Sequence, residues 1–168
     1  MAEHTIKGTD HALKREALAA YINTGTKAAP VWSLLGVHTE DSSIELDWAS
    51  NTKRDITGRV WSSLRKPVVS QTFDSSELDP NEAAMQHIWN LAIVKHDAQA
   101  LANQDLLIVH AYGDFAERYD ASTVEVTSIG GEGGGDLITS TTVTYGGDRT
   151  EGTVTVSDGT ITFVPDAA

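Results

Sequence analysis

The side chains in this sequence that most often carry chemistry are its six histidines, His4, His11, His38, His87, His96 and His110. No two of them form an HxxxH or HExxH pair. His87 and His96 are nine apart, so they cannot share the adjacent turns that a helix-borne zinc site needs. Cysteine is absent, which removes disulfides, thiolate metal sites and cysteine nucleophiles together. There is no GxSxG nucleophile elbow. The glycine-rich GGEGGG at 130–135 lacks the Lys-Ser/Thr pair that lets a phosphate loop hold its ligand, and no helix signal follows it. Carboxylates are numerous but scattered, without a spacing that sets one as acid and another as base. The expectation is a protein that is not an enzyme and carries no metal or cofactor.

The charge pattern carries more information. The 168 residues bear a formal net charge of -12, so tight binding of nucleic acid phosphates is not expected. Residues 1–66 hold nine Lys/Arg and eight Asp/Glu, a net of +1, whereas residues 67–168 hold three and sixteen, a net of -13. Within 53–66, Lys53, Arg54, Arg59, Arg65 and Lys66 face only Asp55. A basic arm on an acidic body favours head-to-tail contact between copies, although both are equally what solvated faces look like. Hydrophobic residues make up 40% and charged residues 21%, a globular balance for one domain. No apolar run approaches the roughly 20 residues of a membrane span. The polar start MAEHTIKGTDH resembles no signal peptide, so a cytoplasmic site of synthesis and assembly is expected.

Positioning falls mainly to strands. Residues 1–14 read as a flexible arm, and residues 15–168 as a single β domain. Helix formers Glu16, Ala17 and Leu18 precede a strand-like Tyr21-Ile22 and the turn NTGT. VWSLLGV (31–37) is a strand. In SIELDW (43–48), Ile44, Leu46 and Trp48 alternate with Glu45 and Asp47. DITGRVW (55–61) and LRKPVVSQTF (64–73) look extended, with Pro67 at a strand start or edge, which leaves 49–66 as a long, basic, hairpin-like arm. One helix is expected over about 79–95, with Asp79 as N-cap, Pro80 in its first turn, and Ala84, Ile88, Leu91 and Ala92 on one face. DLLIVHAY (105–112), STVEVTSI (122–129) and DLITSTTVTY (136–145) read as strands, and GTVTVSDGTITFVP (152–165) as a hairpin turning at Asp158-Gly159. The fold class is mainly β (α+β): an antiparallel β-sandwich or half-barrel with one flanking helix.

One sheet face has a distinct composition. Glu45 and Asp47 in one strand, Glu125 in a second, and Ser140, Thr142 and Thr144 in a third form a polar, acidic surface opposite the apolar one. Such a face suits a water-filled channel wall, and pooling strands from several subunits both widens the channel and removes open edges. The same pattern also fits the solvent face of a monomeric sandwich.

PVWSLLGVHTEDSSIELDWASNTKRDITG, RKPVVSQTFD, IWNLAIVKHDAQALANQDLLIVHAYG, and the later FAERYD, IGGEGGGD and VTYGGDRTEGTV together resemble the tail tube proteins of long, flexible-tailed phages. The likeness spans roughly residues 15–165 and rests on the order of these segments. It implies hexameric rings stacked into a tube within the virion tail, through which DNA passes without specific binding. It implies a tape measure protein and tail tip or terminator proteins as partners. It also implies that a hairpin arm, here 49–66, reaches a neighbour. Lys53, Arg54, Arg59, Arg65 and Lys66, with Gly130, Gly131 and Glu132 of the glycine-rich loop, are then the expected subunit interface; Glu45, Asp47, Glu125, Ser140, Thr142 and Thr144 face the lumen. Related tubes occur in contractile systems, so the tail type stays open. The competing expectation is a monomeric β-sandwich module of a virion that binds a carbohydrate or receptor through an exposed aromatic patch.

Overall fold

The structure, a computed structural model, describes residues 3–8 and 11–167. After a 3₁₀ turn at Arg15–Ala17 come β1 (Leu18–Asn23), β2 (Trp32–Leu34), β3 (Ile44–Asp47), β4 (Asn51–Arg54), β5 (Val60–Ser63) and β6 (Val68–Glu77). Helices α1 (Ala83–Trp89) and α2 (Ala98–Leu101) follow. The chain then continues through β7 (Gln104–His110), β8 (Phe115–Gly130), β9 (Ile138–Tyr145), β10 (Arg149–Ser157) and β11 (Thr160–Pro165). All pairings are antiparallel.

The architecture turns on β8. FAERYD and STVEVTSI, which read as separate segments in the sequence, form one strand of 16 residues. Its first half lies between β7 and β10, and its second half pairs with β9. One curved sheet therefore has two wings: β2-β1-β7-β8-β10-β11, and β8-β9-β6-β3. The mainly β, half-barrel architecture with a flanking helix is thus present.

β7 carries the core because its apolar run is buried on both faces, as expected of a central strand. Leu106 and Ile108 join Ile22, Val69, Phe73, Val124 and Val143 on one side, where α1 inserts Ala84 and Ile88. Leu107 and Val109 join Trp32 and Ala116 on the other, covered by Val154, Ile161 and Phe163. Ala84 and Ile88 are four residues apart, about one helical turn, which lets a short helix seal the sheet with one stripe.

The helix begins later than its sequence signals indicate. Asp79 Oδ1 accepts from the Asn81 backbone N–H at 2.8 Å, and the Glu82 N–H donates to Asp79 O at 3.2 Å. Asp79 and Pro80 thus build a turn ahead of α1. The φ that Pro fixes serves a turn as well as a first helical position, and an Asp side chain bonds its own following backbone in either setting. Glu82 is the cap residue and makes no side-chain cap bond. After Trp89 the helix widens into a π turn over Asn90–Val94, and His96 stops it with a φ of 50°. Asp97 then caps α2, accepting from the Ala100 N–H at 3.0 Å.

The described part of the N-terminal arm contains no strand or helix, yet it is held in place. The Lys7 N–H donates to Tyr112 O at 2.6 Å and its Nζ pairs with Asp114. His4 lies 4.7 Å from the Phe115 ring and 3.4 Å from Asp166. Thr9 and Asp10 lie outside the described residues.

Candidate assembly interface

β4 and β5 form a separate two-stranded sheet, every residue of which is exposed. The hairpin foreseen over 49–66 therefore stands off the body. Its tip is not extended, as DITGRVW suggested, but is a tight turn over 55–59. Asp55 Oδ1 accepts from the Thr57 N–H at 2.8 Å, the Thr57 hydroxyl at 2.7 Å and the Arg59 N–H at 2.9 Å. Gly58, with a φ of 83°, supplies the left-handed residue that closes such a loop. The Thr57 hydroxyl, followed by the Arg59 N–H, holds the Asp55 carboxyl below its usual range. The tip is thus ordered without help from the body.

Lys53, Arg54 and Arg59 lie on this hairpin, and Arg65 and Lys66 lie on its return to β6; all five are exposed. Among the described residues none of the five is in an ion pair, and Lys53 sits 5.5 Å above the Trp61 ring. Apolar groups surround them: Trp48, Ile56, Val60, Trp61 and Leu64 are all exposed, Ile56 completely. The alternation in SIELDW predicted Leu46 and Trp48 on a buried face, but they remain 52% and 48% exposed. β3 pairs with β6 alone and is an edge strand, and edge positions are less covered than central ones.

The expected lumen residues come together. Across β3-β6-β9-β8 the register aligns Glu45 with Ser70, Ser70 with Thr144, and Thr144 with Thr123. The next row aligns Thr72 with Thr142 and Thr142 with Glu125. Asp47 and Ser140 extend the same face, Ser140 opposite Ser128 beyond a bulge in β8. The alternate residues Val69, Gln71, Phe73, Thr141, Val143 and Tyr145 are buried. α1 packs on that buried side, so the polar face of the four-strand wing is left without a cover from the helix.

The glycine-rich segment is the β8–β9 connection, with Gly130 as the last residue of β8. A Cβ on Gly131 would lie 2.3 Å from Asp136 O, so only glycine permits the chain to fold back so closely. Glu132 is exposed and its carbonyl accepts from the Gly135 N–H at 3.0 Å. This loop and the basic hairpin leave opposite ends of the wing, so the structure does not join these two parts of the expected interface within one chain.

Sequence reading missed two polar networks, one half-buried and one buried. Glu117 accepts from His110 Nε2 at 2.8 Å, the Tyr119 hydroxyl at 2.9 Å and Arg149 Nε. Asp105, 3% exposed, accepts two bonds from Arg118 and one from Asn23. The available signal was a charged pair, Glu117-Arg118, inside a strand that turns back on the apolar DLLIVH. Burial pushes the Glu117 carboxyl up, but the bonds from His110 and Arg149, with Tyr119, outweigh it and hold it at about 2 against the usual 4.5. A carboxylate depressed in the folded state stabilises above its unfolded value and loses that contribution as pH falls through the folded one. Stability should therefore drop between pH 4.5 and about 2, by on the order of 1–2 kcal/mol after solvent screening. Urea melts across that range should show the slope in the parent chain and not in Glu117→Gln.

No protein-family model matches the chain, and no curated protein does. Solved structures share its fold. The tube-terminating cap of the anti-feeding prophage superposes with a TM-score of 0.51 at 12% identity, over 88% of this chain and 95% of that one. The sheath/tube terminator of PVC, an extracellular contractile injection system, superposes with a TM-score of 0.52 at 9% identity, over 86% and 99%. At such identities the likeness establishes a common fold.

Proposed function

We propose that the chain is a structural subunit of a tail tube, which assembles into stacked hexameric rings and forms the conduit for genome delivery by a long-tailed phage. The carrying observation is the wing β3-β6-β9-β8. It has one apolar face filled by its own helix, one polar face bearing Glu45, Asp47 and Glu125, and a border strand, β3, paired on one side only. Four such strands from each of six subunits would close a barrel wider than a porin and leave no edge. Carboxylates on its inner wall would repel phosphates and keep DNA sliding. A tape measure protein and terminator proteins are the partners this role requires, with assembly in the host cytoplasm.

The fold shared with a tube cap and a sheath/tube terminator is in keeping with this reading and favours a second one, a subunit that ends a tube instead of extending it. Negative-stain microscopy with sedimentation of the purified protein separates them. Long hollow fibres are expected for the tube subunit, and single annuli at all concentrations would identify a terminator. A single-chain mass at high concentration would overturn both and favour the monomeric binding module.

A further inference from the structure

Beside α1 lies a cleft of about 270 Å³ lined by Leu78, Pro80, Met85, Trp89 and Leu137, with Asp79 at its rim. Gln86 is its one other polar wall residue, and within the mostly apolar lining Leu137 is 53% and Trp89 36% exposed. The two segments that meet there, 78–94 and 130–138, contain no lysine or arginine and carry Asp79, Glu82, Glu132 and Asp136. The cleft is thus an apolar slot in an acidic surround.

The hairpin tip is its converse. Ile56 is fully exposed at the apex of a turn already fixed by Asp55, between Arg54 and Arg59. An aliphatic side chain held out on a preordered, basic tip loses little conformational freedom when it is buried. The two features lie at opposite ends of β6. The last pair of β3 with β6 is Asp47 with Val68, and the hairpin leaves the sheet beyond it; the cleft begins just past Glu77. Ten strand residues put roughly 30 Å between these ends, whereas the hairpin is only about 20 Å long. The tip cannot reach its own cleft.

We propose that Ile56 of one copy seats in the Leu78–Trp89–Leu137 cleft of a second copy, with Arg54 and Arg59 against its acidic rim. The contact is heterologous, tip to opposite end, and so joins copies into a ring or an open stack, depending on the rotation between them. The inference deepens the tube reading by naming the acceptor surface of its hairpin.

Since the chain has no cysteine, single thiols can be placed without background. Full-length Ile56→Cys is mixed with full-length Leu137→Cys under mild oxidation, and in parallel with a control, Thr155→Cys, exposed on the distant β10–β11 hairpin. Mixed disulfide between tip and cleft should form faster than with the control by roughly tenfold or more, because docking raises the effective thiol concentration. Trp89→Cys is the second acceptor should Leu137→Cys fold poorly. Equal rates with both acceptors would overturn the docking. Microscopy of the parent protein decides the tube reading separately: tubes with equal rates sink the cleft alone, and fast cross-linking without tubes upholds the contact while sinking the conduit.

Discussion

Replacing Arg54 and Arg59 together by glutamate is expected to abolish tube growth while leaving the subunit folded. The segment 53–66 carries five cations and one carboxylate, a net of +4; the double reversal leaves three of each, a net of zero. Both side chains are exposed and neither is in an ion pair among the described residues, so substitution should move stability by no more than about 0.5 kcal/mol. The tip should keep its shape, because the turn is held by the Asp55 carboxylate and the backbone of residue 59, not by the arginine side chains. Assembly is affected far more. Each like-charge juxtaposition at an interface costs several kcal/mol, and in a polymer of identical subunits the cost recurs at every contact. Negative-stain grids should show no fibres from the double variant under conditions where the parent forms them, with an unchanged thermal midpoint. Arg54→Gln with Arg59→Gln should assemble more weakly than the parent and become less sensitive to salt, because the screened attraction is what it lacks. Normal tubes from the double reversal would remove the arm from the docking contact.

The parts of this arrangement differ in how plainly the sequence declares them. The hairpin over 49–66 was readable as the basic stretch left between SIELDW and Pro67, but its tip was not: DITGRVW reads as extended, and only the three bonds to Asp55 and the left-handed Gly58 make it a turn. The polar wing was readable because a period of two puts Ser140, Thr142 and Thr144 on one side whatever the partners are. The start of α1 was misread because Asp79-Pro80 serves a turn and a helix start equally well, and only the path from β6 to the core decides between them. The unity of β8 was invisible for a related reason. FAERYD and STVEVTSI have different neighbours, β7 and β10 for one and β9 for the other, so one strand shows two burial patterns. The pairing of half-buried Glu117 and buried Asp105 depends on long-range contacts, which no local pattern encodes. The cleft is built from α1 and the approach to β9, about fifty residues apart in sequence, and so was equally out of reach.

These differences bear on how a protein of this kind divides its labour. Exposed elements, the hairpin and the polar face, are specified locally and remain available to neighbours. The body that carries them is pinned by a few charges paired within the chain, Asp105 with Arg118 and Glu117 with Arg149. A variant in the second group should therefore fail by unfolding, not by failing to assemble.

Asp105→Ala is the strongest case. Asp105 accepts from Arg118 Nε at 2.9 Å and Nη2 at 2.6 Å, a two-pronged pair, and from Asn23 Nδ2 at 3.1 Å. The guanidinium also lies 5.7 Å over the Trp32 ring, so it is committed to its place by stacking as well as by charge. Deleting the carboxylate leaves that partly buried cation with only the weaker attraction of Asp120, a change that costs about 3 kcal/mol, the low end for breaking a buried pair, and still a large share of the 5–15 kcal/mol typical of a whole domain. The midpoint of thermal unfolding should fall by roughly 10 °C for a chain of this size. The loss also spreads locally. Asn23 Oδ1 accepts from the N–H groups of Gly25 and Val31, each at 2.9 Å, and thereby shapes the loop into β2. Freed of Asp105, Asn23 keeps its Nδ2 bond to Thr26 O but loses its buried anchor, and amide exchange at 24–31 should accelerate beyond what the global loss explains. Asp105→Asn, which keeps one acceptor, should lose less. The double change Asp105→Leu with Arg118→Met removes both charges at once and should recover much of the stability lost by Asp105→Ala, since the expense lies in the orphaned cation and not in the missing attraction. A double variant no more stable than Asp105→Ala would locate the cost in the Asn23 bond and the packing around Trp32 instead.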